Sequence, residues 1–253
     1  MMQTSRTQAS GPRPLERILV TRPAGQADSM MALLQQAGFA PLHQPALAIE
    51  ALPLAPAEKR HLFDLDLFHA VFFVSPNAAR LGVAALSDLW PQWPVGVHFL
   101  AVGEATARVL REAGLDAEAP AAGFNSEAVL ALPCLQSLDE KRVLVLRGDG
   151  GREVFADTLS RRGAAVSTVA LYRRACTADF RWPEPDVDAV LVTSVESWHC
   201  LQQHAAAPLH EPLIVAGSAR IGDVIRAAGY NNLLVAASPH DEDMLACLIH
   251  ETG

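Results

Sequence analysis

Hydroxyl side chains, glycines and arginines gather in short segments: Thr21-Arg22-Pro23, Ser75-Pro76-Asn77, Gly103-Glu104-Ala105-Thr106, Asn125-Ser126, Arg147-Gly148-Asp149-Gly150-Gly151-Arg152, Thr193-Ser194 and Gly217-Ser218-Ala219-Arg220. Small residues leave backbone N–H groups open to an incoming carboxylate or phosphate. A helix that starts at such a segment adds the positive end of its dipole. Taken singly, Ser75, Asn125 and Ser126 are ordinary helix caps. Repeated, with Arg22, Arg147, Arg152 and Arg220 among them, such segments predict a receptor for a polyanion, formed where two lobes face each other.

The motifs of other chemistries are missing. Gly148-Asp149-Gly150-Gly151 resembles a degenerate dinucleotide loop, but no P-loop lysine follows it and no G-x-G-x-x-G occurs. The segment where an acid would hold a ribose, Ser167 to Tyr172, contains none. Neither H-E-x-x-H nor G-x-S-x-G is present, and the nine histidines are scattered. Cys134, Cys176, Cys200 and Cys247 show no C-x-x-C spacing and sit among apolar residues, so they read as reduced core thiols rather than a metal site or a disulfide set. The expected chemistry therefore uses no metal, no cofactor and no covalent nucleophile. The net charge of −8 argues against nucleic acid as partner. No apolar run approaches the ~18 residues of a membrane span.

The elements that must carry these segments repeat. Ile18-Leu19-Val20-Thr21-Arg22, running to Gly38, recurs 125 positions later as Val143-Leu144-Val145-Leu146-Arg147, running to Gly163. The apolar run before Ser75 matches that before Ser194, and Val102-Gly103 matches Ala216-Gly217. A period this long means two similar domains rather than a solenoid. With 253 residues, 50% of them hydrophobic, the chain can fill two cores. Short β-branched runs alternate with helical patterns, the signature of parallel sheets built from βαβ units. Expected strands are Ile18 to Thr21, Val71 to Val74, His98 to Val102, Val143 to Leu146, Val166 to Tyr172, Ala189 to Thr193 and Leu213 to Ala216. Gln26 to Gln36 is an expected helix with Met30, Leu33 and Leu34 on one face. Residues 1–14 read as a disordered extension.

From about Arg17 to about Leu248 the chain resembles the uroporphyrinogen-III synthase family. The resemblance rests on Val20-Thr21-Arg22-Pro23 with Gln26, Phe73-Val74-Ser75-Pro76-Asn77, Val102-Gly103 with Thr106, Asn125-Ser126-Glu127, Arg147-Gly148 with Gly151-Arg152-Glu153, and Val169-Ala170-Leu171-Tyr172-Arg173. It implies an α/β fold of two flavodoxin-like parallel-sheet domains from an internal duplication, joined by a two-stranded linker. The first domain would be discontinuous, residues 15–47 plus 175–253, and the second would span 51–171. Simple duplication would instead put the boundary near Leu138.

The implied reaction is cyclisation of hydroxymethylbilane, a linear tetrapyrrole, to uroporphyrinogen III, with inversion of the last pyrrole ring and loss of water through a spiro intermediate. Choosing one closure over another is a problem of orientation, which suits a site of amides and hydroxyls. Tyr172 is the implied catalytic residue, hydrogen-bonding or protonating the departing hydroxyl. Arg22, Ser75, Thr106, Asn125, Ser126, Arg147, Gly148, Arg152, Ser194, Ser218 and Arg220 are the implied substrate-binding residues. Ser218-Ala219 departs from the paired threonines of some members of the family. The protein is expected to be a cytoplasmic monomer taking its substrate from the preceding pathway enzyme, with neither nucleic acid nor membrane as partner. A two-domain module that binds or senses an anionic ligand, or a nucleotide-dependent enzyme, would use the same helix ends.

Overall fold

The computed structural model describes residues 15–121, 126–150, 154–184, 186–204 and 212–252. The expected extension at residues 1–14, together with Asn125 and Arg152, lies outside the described residues. In chain order the elements are β1 (Arg17–Val20), α1 (Asp28–Gln36), β2 (Ala40–His43), β3 (Leu47–Ala51), α2 (Pro56–Phe63), β4 (Ala70–Phe73), α3 (Pro76–Ser87), β5 (His98–Ala101), α4 (Glu104–Glu112) and β6 (Ala117–Glu118). There follow α5 (Ser126–Val129), β7 (Arg142–Gly148), α6 (Val154–Arg161), β8 (Ala165–Cys176), β9 (Ala189–Val192), α7 (Val195–Gln203), β10 (Leu213–Ala216), α8 (Ala219–Ala227), β11 (Leu233–Val235) and α9 (Asp241–Thr252). They form two compact units, one reaching Ala48 and resuming at Ala175, the other running Ile49–Arg174.

The first unit is a parallel sheet in the order β11-β10-β9-β1-β2. Strand side chains alternate between faces, and both faces are apolar. Leu19, Val190, Val192, Ile214 and Ala216 pack with Trp198 and Leu201 of α7 and with Ile221 and Ile225 of α8. Ile18, Val20, Ala189, Leu191 and Val215 pack with Met30 and Leu34 of α1 and with Met244 and Leu248 of α9. Near-continuous apolar strands are what a sheet covered on both sides requires. Each of the valine, leucine, isoleucine and methionine side chains among these contributes about 1.5–3 kcal/mol by leaving water. Of the expected α1 face, Met30 and Leu34 are buried and Leu33 is half-buried.

The second unit orders its sheet β3-β8-β7-β4-β5-β6. Strands β8 to β6 are parallel. One face holds Val71, Phe73, Leu144 and Leu146 against α3 and α4; the other holds Phe72, Leu100 and Val145 against Val129, Phe155 and Leu159. The two sheets share one plan. In the first unit β1 and β2 lie beside β9, β10 and β11; in the second, β7 and β8 lie beside β4, β5 and β6. Each unit thus takes the opening strand-helix-strand of one repeat and the closing strands of the other. The spatial order in both is the flavodoxin-like one.

The chain passes between units in β3 and in β8. Thr177 N–H donates to the Ala46 carbonyl at 3.0 Å and Leu52 N–H to the Leu171 carbonyl at 2.9 Å, so the two segments run antiparallel. Two features differ from the sequence reading. Strand β8 continues to Cys176 instead of ending at Tyr172, because β3 supplies its edge with backbone partners. Cys176 and Cys200 are joined in a disulfide rather than standing as reduced thiols, while Cys134 and Cys247 are free. The bonded pair is 24 residues apart and meets, at a Cα separation of 5.1 Å, only because β8 ends over α7. Such a pairing leaves no spacing signature.

Candidate functional site

Beyond the carboxyl ends of β4, β5, β7 and β8, where open α/β sheets bind ligands, the second unit opens a pocket of about 340 Å³. Tyr172, Ser75, Arg147, Gly148 and Ser126 all line it. Tyr172 is only 2% exposed, and its hydroxyl lies 3.0 Å from Oγ of Ser75. Ser75 caps α3, its Oγ accepting from the Ala78 N–H at 3.1 Å. In the orientation in which Ser75 donates to Tyr172, the tyrosine keeps its own proton for a ligand.

Tyr172 is aimed by an irregularity in the sheet. Arg147 is in register with Ala170, but Gly148 is in register with Tyr172, so one residue of β8 is passed over. Bulges of this kind redirect a side chain next to a site. The Asp149 N–H closes the turn onto the Tyr172 carbonyl at 2.6 Å. Arg147, next to the end of β7, reaches the pocket with a buried Nε that has no hydrogen-bond partner among the described residues. A buried unpaired donor is costly; an anion in the pocket would satisfy it.

The remaining expected residues fall elsewhere. Thr106 is 1% exposed inside α4 and does not line the pocket. In the first unit, Ser194 caps α7, accepting from the Ser197 N–H at 3.0 Å, and Ser218 caps α8, accepting from the Ile221 N–H at 3.4 Å. Arg220 is exposed on the first turn of α8. Arg22 sits in a shallow hollow with Gln26, Thr193 and His240. Its guanidinium is paired with Asp241 and donates to the Pro239 carbonyl at 2.8 Å, which braces the start of α9. The sequence reading missed Thr168 and Arg174, which line the pocket beside Tyr172. Alternation with Tyr172 was the available signal for Arg174, two residues on, but the register shift before Tyr172 breaks it for Thr168.

A family model described as "Uroporphyrinogen-III synthase HemD" matches residues 28–246. The chain is 31% identical over 244 residues to the uroporphyrinogen-III synthase of Salmonella typhimurium, covering 91% of this chain and 99% of that protein. The chain belongs to the uroporphyrinogen-III synthase family. The family match starts in α1 and ends in α9, so it takes in both units. A second relative, the uroporphyrinogen-III synthase of Escherichia coli, is 31% identical over 245 residues, again 91% of this chain and 99% of the other. In fold the chain is similar to uroporphyrinogen-III synthetase from Helicobacter pylori, with a TM-score of 0.61, 16% identity, and coverage of 94% of this chain and all of that one.

Proposed function

We infer that this chain is a lyase of tetrapyrrole and heme biosynthesis that closes hydroxymethylbilane to uroporphyrinogen III. Membership of the family supports this reading. The observation that carries the chemistry is the Tyr172–Ser75 hydroxyl pair in a pocket that also holds the Nε of Arg147, which has no partner among the described residues. The substrate carries acetate and propionate groups and one terminal hydroxymethyl group. Arg147 holds a carboxylate, while Tyr172 hydrogen-bonds the hydroxyl that leaves.

Departure of that hydroxyl as water creates an azafulvene, an electrophile conjugated with the terminal ring. The substituted α-carbon of the last ring attacks it and gives the spiro intermediate. One bond of the spiro centre then breaks, the inverted ring recloses through its other α-carbon, and loss of a proton restores the pyrrole. The net change is the loss of one water. The protein's share is to hold the last ring so that attack occurs at the substituted position, a matter of orientation rather than of strong acid or base. Binding by Ser126 and Gly148 belongs to this pocket, and Ser194, Ser218 and Arg220 would serve carboxylates from the first unit. Arg22 is assigned to bracing α9.

The free substrate closes on its own, so transfer from the enzyme that makes it favours the wanted isomer. We assign a cytoplasmic monomer to this role; Cys134 and Cys247 are free thiols, as that compartment keeps them, and the Cys176–Cys200 disulfide is the exception to it. Among the described residues no helix is long and apolar enough to cross a membrane. Incubation with freshly prepared hydroxymethylbilane and separation of the product isomers tests the reading, because a module that only binds or senses the ligand would leave the isomer ratio unchanged.

A further inference from the structure

At the other end of the second sheet, remote from the pocket, a set of metal-ligating side chains converges. His98 opens β5 and Glu118 closes β6, the neighbouring strand. Leu100 is in register with Glu118, and His98 lies two residues before Leu100, so both side chains emerge on the same face. Cys134, in the turn after α5, packs against that face. One ligand atom from each of His98, Glu118 and Cys134 falls within 4.8 Å of the other two.

We propose that His98, Glu118 and Cys134 form a Zn²⁺-binding site that ties the turn at Cys134 to the edge of the second sheet. The donor types fit, since a thiolate, an imidazole and a carboxylate are the ligands zinc takes. The spacing fits as well. Nδ1 of His98 and Oε1 of Glu118 are 2.8 Å apart, close to the ~3.3 Å that separates two donors each about 2.0–2.1 Å from one tetrahedral zinc. The charge balances, because the Cys134 thiol gives its proton to solvent on binding, and one thiolate with one carboxylate then neutralises the divalent ion. Three protein ligands leave the fourth position to water.

An outer partner is already in place. Nε2 of His69 lies 2.9 Å from the Cys134 carbonyl. A carbonyl can only accept, so the ring nitrogen donates and holds the Cys134 backbone. The His69 ring in turn stands 5.0 Å from the His98 ring, edge to face. Hydrogen bonds of this kind fix ligand-bearing segments in metal sites. Positions 98, 118 and 134 are too far apart in the chain to be read as a motif. The fold alone brings them together.

Titration of the full-length protein with Co²⁺, followed by displacement with Zn²⁺, tests the site through the sulfur-to-cobalt charge-transfer band. One equivalent of Co²⁺ should produce the band, and Zn²⁺ should remove it. The C134S variant should lose the band. H98Q and E118Q should weaken binding by more than the about 10–100-fold that loss of an outer partner costs. Glu118 is exposed, so E118Q keeps the test open even if C134S fails to fold. Zinc should raise the melting temperature of the unmodified protein by a few degrees and leave that of H98Q unchanged. A missing band at stoichiometric Co²⁺, a band retained in C134S, or undiminished affinity in both H98Q and E118Q would overturn the proposal. Isomer-specific turnover should survive chelation, because the pocket lies at the opposite end of the strands.

Discussion

Gly148 lies flat against Tyr172: a Cβ atom at Gly148 would stand 2.6 Å from Cζ of the tyrosine ring and 3.1 Å from its hydroxyl oxygen. No real Cβ approaches so closely, so any side chain here must push the ring aside. The tyrosine cannot yield easily, since its ring is buried and its hydroxyl is held by Ser75. Overpacking of this kind costs about 1–3 kcal/mol. Gly148→Ala should therefore lower stability by that amount and kcat by up to about 10²-fold, the cost of displacing a reacting group by about 1 Å. Steady-state turnover together with a melting curve checks this. A folded variant with full rate would show that the ring position is immaterial.

Tyr172→Phe should reduce kcat far more than it raises KM, since the hydroxyl is assigned to a leaving group whose charge develops only in the transition state. A positioned proton donor is worth about 10²–10⁴-fold. The low end is expected here because the substrate loses its hydroxyl readily. Single-turnover rates and initial-rate kinetics separate the two parameters. A raised KM with unchanged kcat would make Tyr172 a binding residue instead.

The two arginines that open the matched repeats should behave differently. Arg147 offers the pocket an Nε with no partner among the described residues, so Arg147→Gln should raise KM by about 10–100-fold, the worth of one hydrogen bond to a charged group. Arg22 is already committed to Asp241 and Pro239, and Arg22→Gln should lower the melting temperature while KM stays near its original value. Reversed results would move the carboxylate contact to the first unit.

The succession of strands and helices, the long repeat and the Ser75 cap were legible in the sequence, because they show in apolar patterning and N-cap chemistry. Ser75 caps the helix that follows it, as read, whereas Ser126, also read as a cap, is the first residue of α5. Thr106 shows the limit: a hydroxyl near a helix start reads the same whether it faces a pocket or, as here, the core. The placement of Tyr172 depends on the register shift at Gly148, and the Cys176–Cys200 bond depends on where β8 ends. Both are long-range facts that no residue spacing encodes.

Cys134 gives the stability of the protein a pH dependence in the alkaline range. Burial, and then the nearby Glu118 charge, push its thiol up from the ordinary 9.0 to about 11. Between those values the unfolded chain has lost this proton while the folded chain keeps it, so stability falls as pH rises. The contribution is fully present below pH 9 and lost by about pH 11. Urea midpoints of the metal-free protein should decline across this window, and Cys134→Ser should flatten the decline. Identical pH profiles for the two proteins would remove Cys134 as the cause.

The ratio of uroporphyrinogen isomers formed from fresh hydroxymethylbilane tests the central claim most directly. With purified protein and no added metal or nucleotide, the type III isomer should predominate, and Tyr172→Phe should slow its appearance. An isomer ratio equal to that of the protein-free control would contradict the account.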